Sequence, residues 1–224
     1  MNRRKFFTTV GGLAIVAGPA WSADHILNQR AIEVTGGSLA KRQVFLDTET
    51  TGCWPEDGHR IVEIGAVEVI NGGITGRRFH TYLDPRRDVD TGAQEVHGLD
   101  REFLTGRPSF ENVWNDLQDF IKGAELLVHN APFDIDFLNS ELAKINALPI
   151  ERHCSNITDT LVMARKLHRG MRNDLDTLCM RYGVVFSEEH IGSTIRSAEH
   201  LAMVYRAMVA SDDENSIGGI RTAG

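Results

Sequence analysis

The chain has 224 residues, 42% of them hydrophobic and 25% charged, and a formal net charge of −7. That length holds one domain of average size with tails, and the composition excludes wholesale disorder. The acid excess excludes a protein that coats duplex nucleic acid through a broad basic face, though not one that grips a strand end. Cys53, Cys154 and Cys179 are odd in number and far apart, which excludes a disulfide framework and a CxxC zinc site.

In chain order, Arg3, Arg4 and Lys5 precede an apolar, glycine-bearing stretch from Phe6 to Ala20, and small residues at Ala20 and Ser22 suit cleavage before Ala23. The apolar run is short beside the roughly 20 residues of a membrane span. Residues 1–22 read as a twin-arginine-type export signal. The expectation is an exported, periplasmic chain when the signal is used and a cytoplasmic one otherwise, with membrane contact only through this segment. Residues 23–41 read as a linker, 42–210 as the working domain and 211–224 as a flexible tail.

Within the domain, Gln43–Asp47 is a short apolar strand ending in an acid. Arg60–Ile70 alternates and is β-branched, Asn71-Gly72-Gly73 signals a hairpin, and Ile74–Leu83 returns. Three strands in succession predict an antiparallel meander. Ser109–Ile121 has helical periodicity, Glu125–His129 reads as a buried strand, and Pro132–Ile145 as a helix opened by its proline. Further helices are predicted at Thr158–Leu167, Asn173–Tyr182 and Thr194–Met208. The sum is an α/β domain with a mixed sheet.

Asp47 and Glu49 are two apart on a strand, so their carboxylates leave the same face. Two converging carboxylates repel unless a cation joins them, and an all-oxygen site suits Mg²⁺ or Mn²⁺. Asp134 falls in the first turn of a helix, where the macrodipole favours an anion. Asp136 lies about 200° further round and cannot share that direction.

Six ordered blocks, VFLDTETTG (44–52), RIVEIGAVEV (60–69), EVHGL (95–99), GAELLVHNAPFDIDFL (123–138), ITDTLVMARK (157–166) and RNDLDTLCMRYG (172–183), resemble the DEDD 3′–5′ exonucleases. Within them the chain is most similar to the epsilon proofreading type of DNA polymerase III. The resemblance implies an RNase H-like mixed sheet with flanking helices, and two-metal hydrolysis of the terminal phosphodiester at a single-stranded nucleic acid 3′ end. It implies Asp47, Glu49 and Asp134 as catalytic residues and metal ligands, with Thr48, Thr50 and His97 on the substrate.

The third family motif, a histidine followed five residues later by an aspartate, is missing. Aligned on the last helix, those positions are Gly192 and Ser197; sliding by one residue gives Ile191 and Arg196. Glu199, two residues past Ser197, points elsewhere on the helix, whereas His200, three past it, shares its face and is the conceivable stand-in; both also read as solvated helix surface. The departure implies strongly impaired hydrolysis. The alternatives are an active 3′–5′ exonuclease with an improvised third motif, and a non-enzymatic module that binds nucleic-acid ends. No polymerase-binding C-terminal region and no clamp-binding peptide are expected. Trp54 could stack a base or anchor its loop. The cluster Arg165, Lys166, His168, Arg169 and Arg172 could track a phosphate backbone or be a solvated helix end.

Overall fold

Strand β1, Arg42–Thr50, is the sheet's organising element. It runs beyond the predicted Gln43–Asp47, so Asp47 and Glu49 both sit inside the strand rather than where it frays. β2, Ile61–Ile70, and β3, Gly73–Tyr82, complete the antiparallel meander. Asn71 adopts a left-handed φ of 51° in the turn between them, a conformation that asparagine tolerates better than most residues. β4, Glu125–Val128, and β5, Asn156–Asp159, add in parallel on the other side of β1, giving the order β3-β2-β1-β4-β5.

The computed structural model describes residues 41–184 and 193–218. The expected export signal, nearly all of the linker, Gly192 and the last six residues of the expected tail lie outside the described residues.

Seven helices are described. They are α1 (Thr91–His97), α2 (Arg101–Leu104), α3 (Phe110–Ile121), α4 (Ala131–Lys144), α5 (Thr160–Leu167), α6 (Leu175–Tyr182) and α7 (Ser193–Gly218). α3 follows from its sequence: Ser109 and Asn112 form a capping box, and Phe110, Val113, Trp114, Leu117, Phe120 and Ile121 make a buried stripe. Burying one such side chain stabilises by about 1.5–3 kcal/mol. α3 and α4 cover one face of the sheet, over Val44, Leu46, Ile64 and Ala66. α7 covers the other, with Ile195, Ala198, Leu201 and Ala202 on Phe45, Val67, Val69 and Leu127.

Three expectations need correction. The alternation in β2 does not divide core from solvent: both faces are covered, and Glu63 and Glu68 are buried. Residues 156–159, read partly as helix, are the edge strand β5, with Asp159 capping α5 through bonds from Leu161 N and Val162 N. His97 ends helix α1, which closes on left-handed Gly98. The last helix also continues to Gly218, past Ala210 where the tail was expected to begin.

Candidate active site

Residues paired across antiparallel strands point to the same face. The register pairs Asp47 with Gly65 and Gly65 with His80; it pairs Glu49 with Glu63 and Glu63 with Tyr82. One face of the sheet therefore carries two acid-bearing rows, and the first turn of α7 lies over it. Gly65 makes that approach possible. A Cβ there would stand 2.4 Å from Ile195 N and from the Thr194 carbonyl carbon. Beside it, buried Glu63 accepts from Thr194 Oγ1 at 2.9 Å and from Thr194 N at 3.4 Å, and pairs with His80 Nε2 at 2.8 Å. Glu63 was missed in the sequence, where it reads as one polar step in an alternating strand.

This docking brings the Ser197 side chain near the Asp47 carboxylate, whose charged form its hydroxyl favours. Ser197 is thus the α7 residue that faces Asp47, while Arg196 is exposed. Glu199 is paired with Arg78 of β3. His200 is buried; burial and Arg196 lower its pKa, against Glu199 and Asp176, and keep it neutral.

Asp134 comes from α4, which begins after left-handed Asn130 and carries Pro132 in its first turn. Its Oδ1 accepts from Thr48 N at 3.1 Å and Thr48 Oγ1 at 2.7 Å. Asp136 is exposed, as its angular position requires. Burial, then the Asp134 and Glu49 carboxylates, push the Asp47 carboxyl well above the ordinary range; the nearby Ser197 hydroxyl opposes them. Burial lifts Asp134 to about 7 with help from Glu49, against the two Thr48 bonds. The structure thus brings Asp47, Glu49 and Asp134 into one mutually repelling cluster.

Thr48 holds Asp134, and Thr50 turns its hydroxyl onto Gly52 O at 2.7 Å. His97 Nε2 donates to Thr50 O at 3.1 Å while its Nδ1 accepts from Leu99 N at 3.0 Å, which fixes a neutral tautomer. Burial lowers its pKa in agreement. These three residues lie along the end of β1 and brace it. Trp54 is 60% exposed just beyond.

Three oxygen-only donors that repel one another suit a hard divalent cation. Among the described residues, no three His, Cys, Asp or Glu side chains are gathered closely enough to form a ready-made shell. Mg²⁺ usually takes one or two carboxylates and completes its shell with water and substrate phosphate. The donor set therefore fits such a cation in kind, with Asp47 and Glu49 as the pair that would hold it and Asp134 behind them.

A five-stranded mixed sheet with paired acids on its central strand, and a third acid at the start of the adjoining helix, defines a carboxylate-based nuclease of the RNase H-like class. The model of the Exonuclease family, of RNase T type, matches residues 44–193. The DNA polymerase III subunit epsilon of Rickettsia prowazekii is 46% identical over 168 residues, covering 75% of this chain and 73% of the relative. That of Escherichia coli is 45% identical over 172 residues, covering 75% and 71%. Among solved structures, exonuclease X in complex with 5′ overhanging duplex DNA superposes with a TM-score of 0.59 at 21% identity, covering 75% of this chain and 92% of that one. The chain belongs to the exonuclease family, and its relatives are epsilon-type 3′–5′ exonucleases.

Proposed function

We propose that the domain receives the 3′ end of a single-stranded nucleic acid between β1 and α4, and hydrolyses its terminal phosphodiester slowly or not at all. The observation that carries this reading is the Ser197 hydroxyl standing near the Asp47 carboxylate. A hydroxyl stands where the family's third motif has a carboxylate, and it supplies neither a metal ligand of comparable charge nor a base.

In this reading Asp47 and Glu49 would hold Mg²⁺ or Mn²⁺, which when bound supplies charge stabilisation at the reacting phosphate and activates water. The protein's own part is positional. Thr48 fixes Asp134 through two bonds to one oxygen, leaving the other oxygen for the cleft. His97 and Thr50 hold the strand end rigid beside the acids. Loss of a general base alone lowers the rate by roughly 10²–10⁴, and the Gly192 position offers no side chain to replace one. Support for the substrate class comes from relatives named as polymerase III epsilon subunits and from a structural neighbour held on DNA.

The reading is tested by single-turnover cleavage of a 5′-labelled single strand by the full chain in Mg²⁺ and in Mn²⁺, beside Asp47→Ala. A slow ladder shortening from the 3′ end that Asp47→Ala removes supports it, as does strand-end binding without cleavage. Cleavage at undiminished rate in Asp47→Ala contradicts it. Where residues 1–22 are used for export, the substrate is met in the periplasm. Cell fractionation of the full chain against a chain lacking 1–22 tests that, with retention of both in the cytoplasm as the contrary result.

A further inference from the structure

Glu63 is fully buried and stands opposite Glu49 in the register of β1 and β2, yet the proposed hydrolysis gives it no task. We propose that Glu63 is a positioning residue: with His80 it anchors the first turn of α7, and so sets where the side chain of residue 197 stands over Asp47. The proposal deepens the strand-end reading and rests on its claim that residue 197 limits hydrolysis.

The need for an anchor follows from the rest of the contact between α7 and the sheet. Ile195, Ala198, Leu201 and Ala202 meet Phe45, Val67, Val69 and Leu127, and apolar contact of this kind is non-directional. Gly65 clears the way for the helix backbone, since a Cβ there would stand 2.4 Å from Ile195 N. It offers no side chain to stop α7 from turning or sliding. Hydrogen bonds do have direction. Thr194 donates two, from Oγ1 at 2.9 Å and from N at 3.4 Å, and both end on one oxygen, Glu63 Oε1. Thr194 and residue 197 are three apart, about 4.5 Å along the helix axis and about 60° round it, so fixing the first fixes the second.

The anchor is itself held. His80 Nε2 donates to the same Glu63 Oε1 at 2.8 Å. The His80 ring packs edge-on to Tyr82 with centroids 4.9 Å apart, and Tyr82 packs edge-on to Phe103 at 4.9 Å. β3 and α2 thereby brace the carboxylate from the side of β2 away from β1. All three of these bonds turn Oε1 toward α7 and β3. A glutamine at 63 presents an equivalent oxygen, so an anchoring role survives Glu63→Gln, whereas the role of a metal ligand or a base does not.

The test is single-turnover cleavage of a 5′-labelled single strand in Mg²⁺ by the full chain carrying Gly192→His/Ser197→Asp, with Glu63→Ala, Glu63→Gln or Thr194→Val added. The proposal expects Glu63→Ala and Thr194→Val to lower the rate at saturating strand by about 10- to 100-fold. The half-saturating strand concentration should hold within about 2-fold. Glu63→Gln, which keeps the bonds but not their charge assistance, should stay within about 3-fold of its parent. An unchanged rate in Glu63→Ala overturns the proposal. So does a Glu63→Gln chain as slow as Glu63→Ala, which gives the task to the charge itself. Hydrogen exchange in otherwise wild-type chains is the second readout. Amides of residues 193–201 should exchange about 10-fold faster in Glu63→Ala and Thr194→Val, with those of α3 unmoved. Equal acceleration in α3 and α7 marks a loss of overall stability and overturns the proposal. A Gly192→His/Ser197→Asp parent that does not cleave overturns the claim about residue 197 beneath it, and the exchange result then decides the anchor alone.

Discussion

Asp134 destabilises the metal-free fold at neutral pH, and Asp134→Asn should relieve it. The side chain is 4% exposed, and burial lifts its pKa from 3.8 to about 7. Between those values the folded chain binds more protons than the unfolded one, so stability falls as pH rises through that window and stays lower above it. The whole lift corresponds to about 4 kcal/mol at roughly 1.4 kcal/mol per tenfold change. Water entering an open cleft and repulsion shared with Asp47 and Glu49 reduce what one substitution recovers to about 1–3 kcal/mol. The amide oxygen of asparagine still accepts both Thr48 bonds, so the substitution removes charge and little else. The assay is urea unfolding of both chains in EDTA at pH 4 and pH 8. The variant should be the more stable at pH 8, with most of that gain absent at pH 4. A loss of stability at pH 8, or an equal gain at both pH values, refutes the reasoning.

Gly65→Ala should displace α7, because the added carbon meets backbone at 2.4 Å; a drop of about 2–3 kcal/mol in denaturant unfolding is expected, together with loss of any cleavage. Arg60→Ala should lower stability by about 3–5 kcal/mol in the same assay, since it strips a two-bond partner, at 2.6 and 2.7 Å, from buried Glu141. Glu68 behaves oppositely to Asp134. Burial raises its pKa, but bonds from Arg42 and Thr75 and the charge of Arg77 bring it below 4.5. Its contribution is therefore present above pH 4.5 and lost as pH falls through its folded value. Glu68→Gln should thus cost stability at pH 7, and the difference from wild type should narrow toward pH 3 in thermal melts.

The acid pair was legible because a strand has a period of two and its lead-in, Val44-Phe45-Leu46, is fully apolar. Asp134 was legible from its place two residues after a helix-opening proline. The hairpin at Asn71-Gly72 followed from turn chemistry. What escaped depends on contacts far apart in sequence. Glu63 matters because Thr194, 131 residues away, lands on it, and nothing local marks a strand glutamate as buried. The same holds for β2 as a whole: its polar positions imply a wet face until α7 and β3 are placed against it. α1 has no buried residue, so no apolar stripe announced it. β5 is four residues long with an exposed start, too short for alternation to separate it from the helix that follows. The position of Ser197 was legible only through the resemblance. Ser197 comes to face Asp47 because Gly65 lets α7 descend onto the sheet there.

The central claim is that Ser197, with Gly192, is what limits hydrolysis in an otherwise sound cleft. Its most direct test is single-turnover cleavage of a 5′-labelled single strand in Mg²⁺ by the full chain, compared with the Gly192→His/Ser197→Asp double variant. The account predicts a double variant faster by about 10²-fold or more, shortening the strand from its 3′ end and silenced by adding Asp47→Ala. A parent chain that cleaves as fast as the double variant contradicts it.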